Sequence, residues 1–158
     1  MSDPSRPDPD ATDESALLEL DRFIPYQLSV LSNLVSQEIA QAYGERFGLA
    51  VTEWRIIAVL GRFPGLSAVG VAERSAMDKV AVSRAVARLL ERGLLHRETH
   101  DDDRRRSVLE LSEAGRRVYD EVAPQALAYE RDLLAPLDAT ERRVLSELLD
   151  RLGERYGV

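Results

Sequence analysis

Three consecutive arginines, Arg104, Arg105 and Arg106, follow three consecutive aspartates, Asp101–Asp103, between two short apolar runs. Adjacent guanidinium groups repel one another and gain little from folding alone. Their pattern fits an approaching polyanion, whose phosphate oxygens accept charge-assisted hydrogen bonds. Upstream, Val82, Val86, Leu89 and Leu90 fall at i, i+4, i+7 and i+8, which is one buried stripe of a helix. Lys79, Ser83, Arg84 and Arg88 stand on its other faces, as donors to phosphates and base edges. An arginine-bearing amphipathic helix alone is more often only a solvated surface helix. Beside an arginine-tipped hairpin, it suits a DNA major groove, with the hairpin laid along the flanking backbone.

The elements that must hold these groups are mostly helical. Asp78 is placed to cap the basic helix, and Gly93 sits where a helix end favours a left-handed residue. Leu94–Thr99 reads as a strand, Asp101–Arg106 as a turn and Ser107–Leu111 as the returning strand. Before them, Thr52 is expected to cap a helix over Glu53–Gly61, and Ser67 one over roughly Ala68–Arg74, with Phe63-Pro64-Gly65 as a turn and Ser75–Met77 leading into the basic helix. Glu14–Asp21 reads as a short helix. Pro25 suits the first turn of a longer one, which keeps helical period through Leu28, Leu31, Val35, Ile39 and Ala42 to about Arg46, where Gly48 closes it. After the hairpin, Ser112 caps Glu113–Val122, Pro124 marks a kink or restart into a helix reaching Leu134, and Thr140 is expected to cap Glu141–Tyr156. That last helix carries the stripe Val144, Leu145, Leu148, Leu149 and Leu152, which with Leu17, Leu18 and Leu20 exceeds what one protomer can cover. No internal repeat is present.

Charge by segment resolves an apparent conflict. The 158 residues carry a net −7, which argues against a polyanionic partner. Residues 1–22 hold −5 and 108–158 hold −4, however, while 67–107 alone is positive at +2. Local field steers association, and the acidic remainder limits indiscriminate sticking to DNA. The absence of cysteine rules out disulfides, a thiol switch and thiolate zinc sites. No apolar run approaches the ~20 residues that span a bilayer. The proline-rich, acidic start is the opposite of a signal peptide, so residues 1–14 are expected to be a disordered tail and the protein to be cytoplasmic.

The order helix, helix, helix–turn–helix, hairpin, long helices resembles the MarR family of winged helix–turn–helix regulators over about Leu20–Leu152. The residues that carry the likeness are Ala50-Val51-Thr52-Glu53-Trp54, the run AVSRAVARLLERGL at 81–94, and Asp103-Arg104-Arg105-Arg106-Ser107 continuing through Leu111-Ser112-Glu113-Ala114-Gly115. The resemblance implies a mainly α fold with a two-stranded β wing and a helical dimerisation domain built from both termini. Residues 15–48 and 116–158 would supply that domain, around a DNA-binding domain at 49–115. It implies a homodimer on a pseudo-palindromic double-stranded operator, most often a repressor, released when a small aromatic or other anionic effector enters a pocket between the two domains. Lys79, Ser83 and Arg84 would then face base edges or nearby phosphates, and Arg88 the backbone. Arg105 would enter the minor groove with Asp103 orienting it, and Arg104 and Arg106 would hold phosphates.

For the effector, Tyr26, Ser29 and Asn33, with Gln27 nearby, put polar groups beside an apolar stripe, and Trp54 could form an aromatic wall. A Trp and a Tyr at helical spacing are as readily core. The runs PYQLSVLSN and AMDKVAVSRAV look like family members that govern degradation of phenolic or other aromatic acids, some sensing the free acid and some its CoA thioester. No cofactor or metal is implied. An enzyme reading would rest on His96, His100 and Asp101–Asp103, but residues four apart on a strand lie roughly 13 Å apart at ~3.3 Å per residue. No nucleophile with a matched base is present either. A protein-docking winged module without effector leaves Arg104–Arg106 unexplained. Activation in place of repression depends on where the operator lies.

Overall fold

The computed structural model describes residues 18–99 and 107–157. Asp103, Arg104, Arg105 and Arg106 lie outside the described residues, as does the expected tail 1–14. The order is a 3-10 turn (Leu20–Arg22), α1 (Ile24–Phe47), α2 (Val51–Arg62), α3 (Ala68–Ser75), α4 (Lys79–Glu91), β1 (Leu95–Thr99), β2 (Ser107–Leu111), α5 (Glu113–Leu133) and α6 (Ala139–Glu154). This is the expected mainly helical chain with an antiparallel two-stranded wing.

Contacts divide the chain into two units, Met1–Val35 and Ser36–Val158. In the first, the described part of the short helix expected over Glu14–Asp21 is only the 3-10 turn. Pro25 explains the break. It has no N–H to offer the Asp21 carbonyl, which instead accepts from the Gln27 side-chain amide at 2.5 Å. Pro25 then sits in the first turn of α1, where a missing N–H costs nothing. Leu20, Phe23, Ile24, Leu28, Leu31 and Leu34 all remain exposed.

The second unit holds the core. Val82, Ala85, Val86 and Leu89 of α4 are buried in one cluster with Ile56, Ile57 and Leu60 of α2 and Val71 and Ala72 of α3. Leu95 and Leu109 bring the wing into the same cluster, and Val118 and Val122 bring α5. Each valine, leucine or isoleucine side chain among them, fully buried, contributes about 1.5–3 kcal/mol. The wing is also extended in a way the sequence did not announce: Leu66 bridges Leu109, its carbonyl accepting the Leu109 N–H at 2.8 Å, while Gly65 N–H donates back to the Leu109 carbonyl at 3.2 Å.

Three expected boundaries are corrected. Thr52 does not cap α2. Ala50 holds the N-cap position, and Glu53 reaches back from the first turn to accept its N–H at 3.1 Å. Thr140 does not cap α6. Asp138 does, accepting from the N–H groups of Thr140 and Glu141 at 2.8 and 2.9 Å, while Glu141 accepts from the Asp138 N–H at 2.8 Å. This reciprocal pair satisfies more free donors than a threonine hydroxyl could. Finally, α5 runs unbroken past Pro124. The Gln125 side chain donates to the Glu121 carbonyl at 3.1 Å, reinforcing the turn that proline weakens.

Candidate nucleic-acid interface

The helix–turn–helix is built by two side-chain caps and one unusual residue. Ser67 Oγ accepts from Gly70 N–H at 3.0 Å to start α3, and Asp78 Oδ1 accepts from Ala81 N–H at 2.8 Å to start α4. Between them Ala76 takes a left-handed conformation, φ +50°, and Met77 N–H closes on the Ala72 carbonyl at 3.0 Å. A residue with a Cβ pays about 1–2 kcal/mol for that backbone region. With Val82, Ala85, Val86 and Leu89 turned inward, α4 presents Val80, Ser83, Arg84 and Ala87 outward, all exposed.

The predicted cations have different partners. Lys79 Nζ lies 3.6 Å from Glu73 Oε1, both well exposed, a contact of small energetic consequence. Among the described residues Arg84 has no ion-pair partner, and no bridge joins it to Glu73 or Glu91. Arg88 is held: its Nε donates to Glu53 Oε1 at 2.7 Å. Glu53 is the one charged residue buried among the described residues, at 4% exposure. Its other oxygen receives the Ala50 N–H and lies 3.6 Å from Arg92 Nη1. Arg92 in turn donates to the Phe47 and Gly48 carbonyls at 2.5 and 3.2 Å. One carboxylate and two guanidinium groups thus tie the end of α1 and the start of α2 to the last turn of α4. A buried carboxylate needs this pairing, since its charge is otherwise costly to desolvate.

Val80 and Ala87 were missed by a search for polar donors. They stand on the outer face beside Arg84, where a methyl-bearing side chain can meet the thymine methyl group. The available signal was their interruption of the polar face of the helix. Glu53 and Arg92 were missed as well, because their partners lie far away in sequence.

The wing is seated firmly at its base. β1 pairs with β2 from Leu95↔Leu111 to Thr99↔Ser107, and Arg97 donates to Ser107 Oγ at 3.1 Å. Ser112 accepts from Gly115 N–H at 3.0 Å to cap α5 and donates its hydroxyl to the Gly93 carbonyl at 2.6 Å. Gly115 is required by space: a Cβ there would lie 2.0 Å from the Leu94 carbonyl oxygen.

The expected effector residues fall in different settings. Tyr26, Ser29 and Asn33, at i, i+3 and i+7, share one face of α1 in the first unit and are exposed. Trp54 is core in the second unit, between Tyr43 and Tyr119 with ring centroids 5.5 and 6.3 Å away. Its environment is packing, not an open wall. Burial raises the Tyr43 phenol above its ordinary pKa, and nearby Arg55 partly opposes this.

A buttressed α4 with a bare outer face, followed by a small wing, defines a winged helix–turn–helix regulator of transcription. The model of the MarR family matches residues 47–106. A MarR/EmrR family transcriptional regulator from Acinetobacter sp. ADP1 superposes with a TM-score of 0.80 at 31% identity, covering 87% of this chain and 97% of that one. The PcaV transcriptional regulator of Streptomyces coelicolor, solved in complex with its natural ligand, superposes with a TM-score of 0.70 at 26% identity over 88% and 97% of the two chains. A putative regulatory protein for the hcr operon of Thauera aromatica is 31% identical over 97 residues, 61% of this chain and 58% of that protein. The chain belongs to the MarR family, and it is a transcriptional regulator, as these relatives are, and not an enzyme. No helix among the described residues is long and apolar enough to cross a membrane.

Proposed function

We propose that the protein is a homodimeric cytoplasmic repressor that binds a pseudo-palindromic operator and is released by a small aromatic or anionic effector. The observation that carries the DNA-reading part is the outer face of α4, where Ser83 and Arg84 are exposed on a helix whose opposite side is fully buried. Lys79 joins them at the N-terminal end. Arg104, Arg105 and Arg106 would contact the flanking duplex, with Asp103 orienting Arg105. Arg88 contributes chiefly by fixing α4 through Glu53, while its exposed part remains available to a phosphate.

Dimerisation is supported by apolar surface without cover. Helix α6 buries no residue, and Val144, Leu145, Leu148, Leu149 and Leu152 are 38–54% exposed. The described residues of the first unit likewise expose most of their apolar side chains. A second copy of the same chain supplies the matching surface, through residues 15–48 and 116–158. Effector control is supported by the relative solved with its natural ligand and by the amphipathic Tyr26, Ser29 and Asn33 face.

The test is a salt series on a palindromic duplex with half-site centres about one turn, ~34–36 Å, apart. Affinity should fall steeply, with a logarithmic slope near −0.9 per phosphate contact. Affinity that stays flat between low and moderate salt would overturn the reading.

A further inference from the structure

Strand pairing across the hairpin gives His96 a partner that spacing along the sequence does not show. The register sets His96 opposite Glu110, and Glu98, two residues on, projects from the same face of the sheet. His96 Nε2 lies 3.7 Å from Glu98 Oε1 and 3.8 Å from Glu110 Oε2. The three ligand atoms lie within 4.8 Å of one another. Two carboxylates on one small face repel each other, and among the described residues His96 is the sole group paired with either.

We propose that His96, Glu98 and Glu110 form a binding site for a divalent transition-metal ion of the zinc class on the outer face of the wing. A tetrahedral ion with bonds of about 2.0–2.1 Å sets its ligand atoms about 3.3 Å apart. The His96 separations therefore need close by only a few tenths of an ångström, within reach of exposed glutamate side chains. An imidazole with two carboxylates suits zinc, whereas magnesium and calcium favour all-oxygen sets. The paired strands fix all three Cα positions, and three protein ligands leave an outer position open to water. The bound ion cancels the charge of both carboxylates on the hairpin that leads to Arg104–Arg106. The loaded wing then approaches phosphate at lower electrostatic cost, a consequence that rests on the DNA-binding reading.

Calorimetric titration of the full chain with zinc, free of DNA, tests the site independently of that reading. One ion per chain should bind, with His96→Ala and the double variant E98Q/E110Q each weakening uptake at least tenfold. Magnesium should not substitute. Because the three side chains lie on an exposed face, the metal-free variants should melt as the parent does, and the cobalt-loaded parent should show an absorption band that His96→Ala alters. No zinc uptake, uptake that both variants retain, or equal binding of magnesium would overturn the proposal. Failure of operator binding both with and without zinc would count against the DNA reading instead.

Discussion

Helices α4 and α6 carry similar stripes of valine and leucine, yet they end in opposite situations. In α4, Val82, Ala85, Val86 and Leu89 are at most 1% exposed, closed in by α2, α3 and the wing. In α6, Val144, Leu145, Leu148, Leu149 and Leu152 keep between 38 and 54% of their surface open. A helical pattern specifies an apolar face but not which surface will cover it. The covered stripe makes a rigid platform whose other side is free for a ligand. The uncovered one is the kind of contiguous patch that marks a protein interface.

The strongest way to break that contrast is to charge each stripe separately. The double variant L148D/L149D should leave the second unit folded, turn the proposed dimer into a monomer by light scattering, and weaken operator binding about a hundredfold or more as bivalency is lost. A dimer that survives with full affinity would show that α6 faces solvent. Leu89→Ala, on the covered stripe, should cost about 2–5 kcal/mol in denaturant unfolding without changing subunit count. Loss of the dimer at concentrations where the variant stays folded would instead couple the two regions.

Smaller changes sharpen the picture of how the platform is seated. Gly115→Ala forces a Cβ against the Leu94 carbonyl and should destabilise the protein by about 1–3 kcal/mol. A melting temperature equal to the parent's would mean that α5 can shift freely off the wing. Ala76→Gly relieves the left-handed backbone of the helix–turn–helix and should stabilise by up to about 1 kcal/mol, after the extra chain entropy of glycine is subtracted. A loss of stability there would mean that the alanine methyl group contributes more than the backbone costs.

Local features were legible wherever a side chain acts on its own neighbourhood. Ser67, Asp78 and Ser112 cap the helices they precede, and Gly48 and Gly93 take positive φ at the ends of α1 and α4. Where two acceptors compete within one turn, position along the chain is ambiguous, as with Asp138 and Thr140. Contacts distant in sequence were not legible. Arg88 reads as a solvent-facing cation until Glu53, thirty-five residues earlier, is brought to 2.7 Å from it. Trp54 reads equally as pocket wall or core until Tyr43 and Tyr119 flank it. Likewise, searching along β1 for partners of His96 overlooks Glu110, because strand pairing, not sequence spacing, makes them neighbours.

The central claim is that the outer face of α4 reads base edges while its buried side only holds it in place. Equilibrium binding of Arg84→Ala to one operator and one scrambled duplex, at a single salt concentration, tests it directly. The variant should lose about 1–3 kcal/mol on the operator, roughly 5- to 150-fold, lose far less on the scrambled duplex, and melt like the parent. Unchanged operator affinity, or an equal loss on both duplexes, would contradict the account.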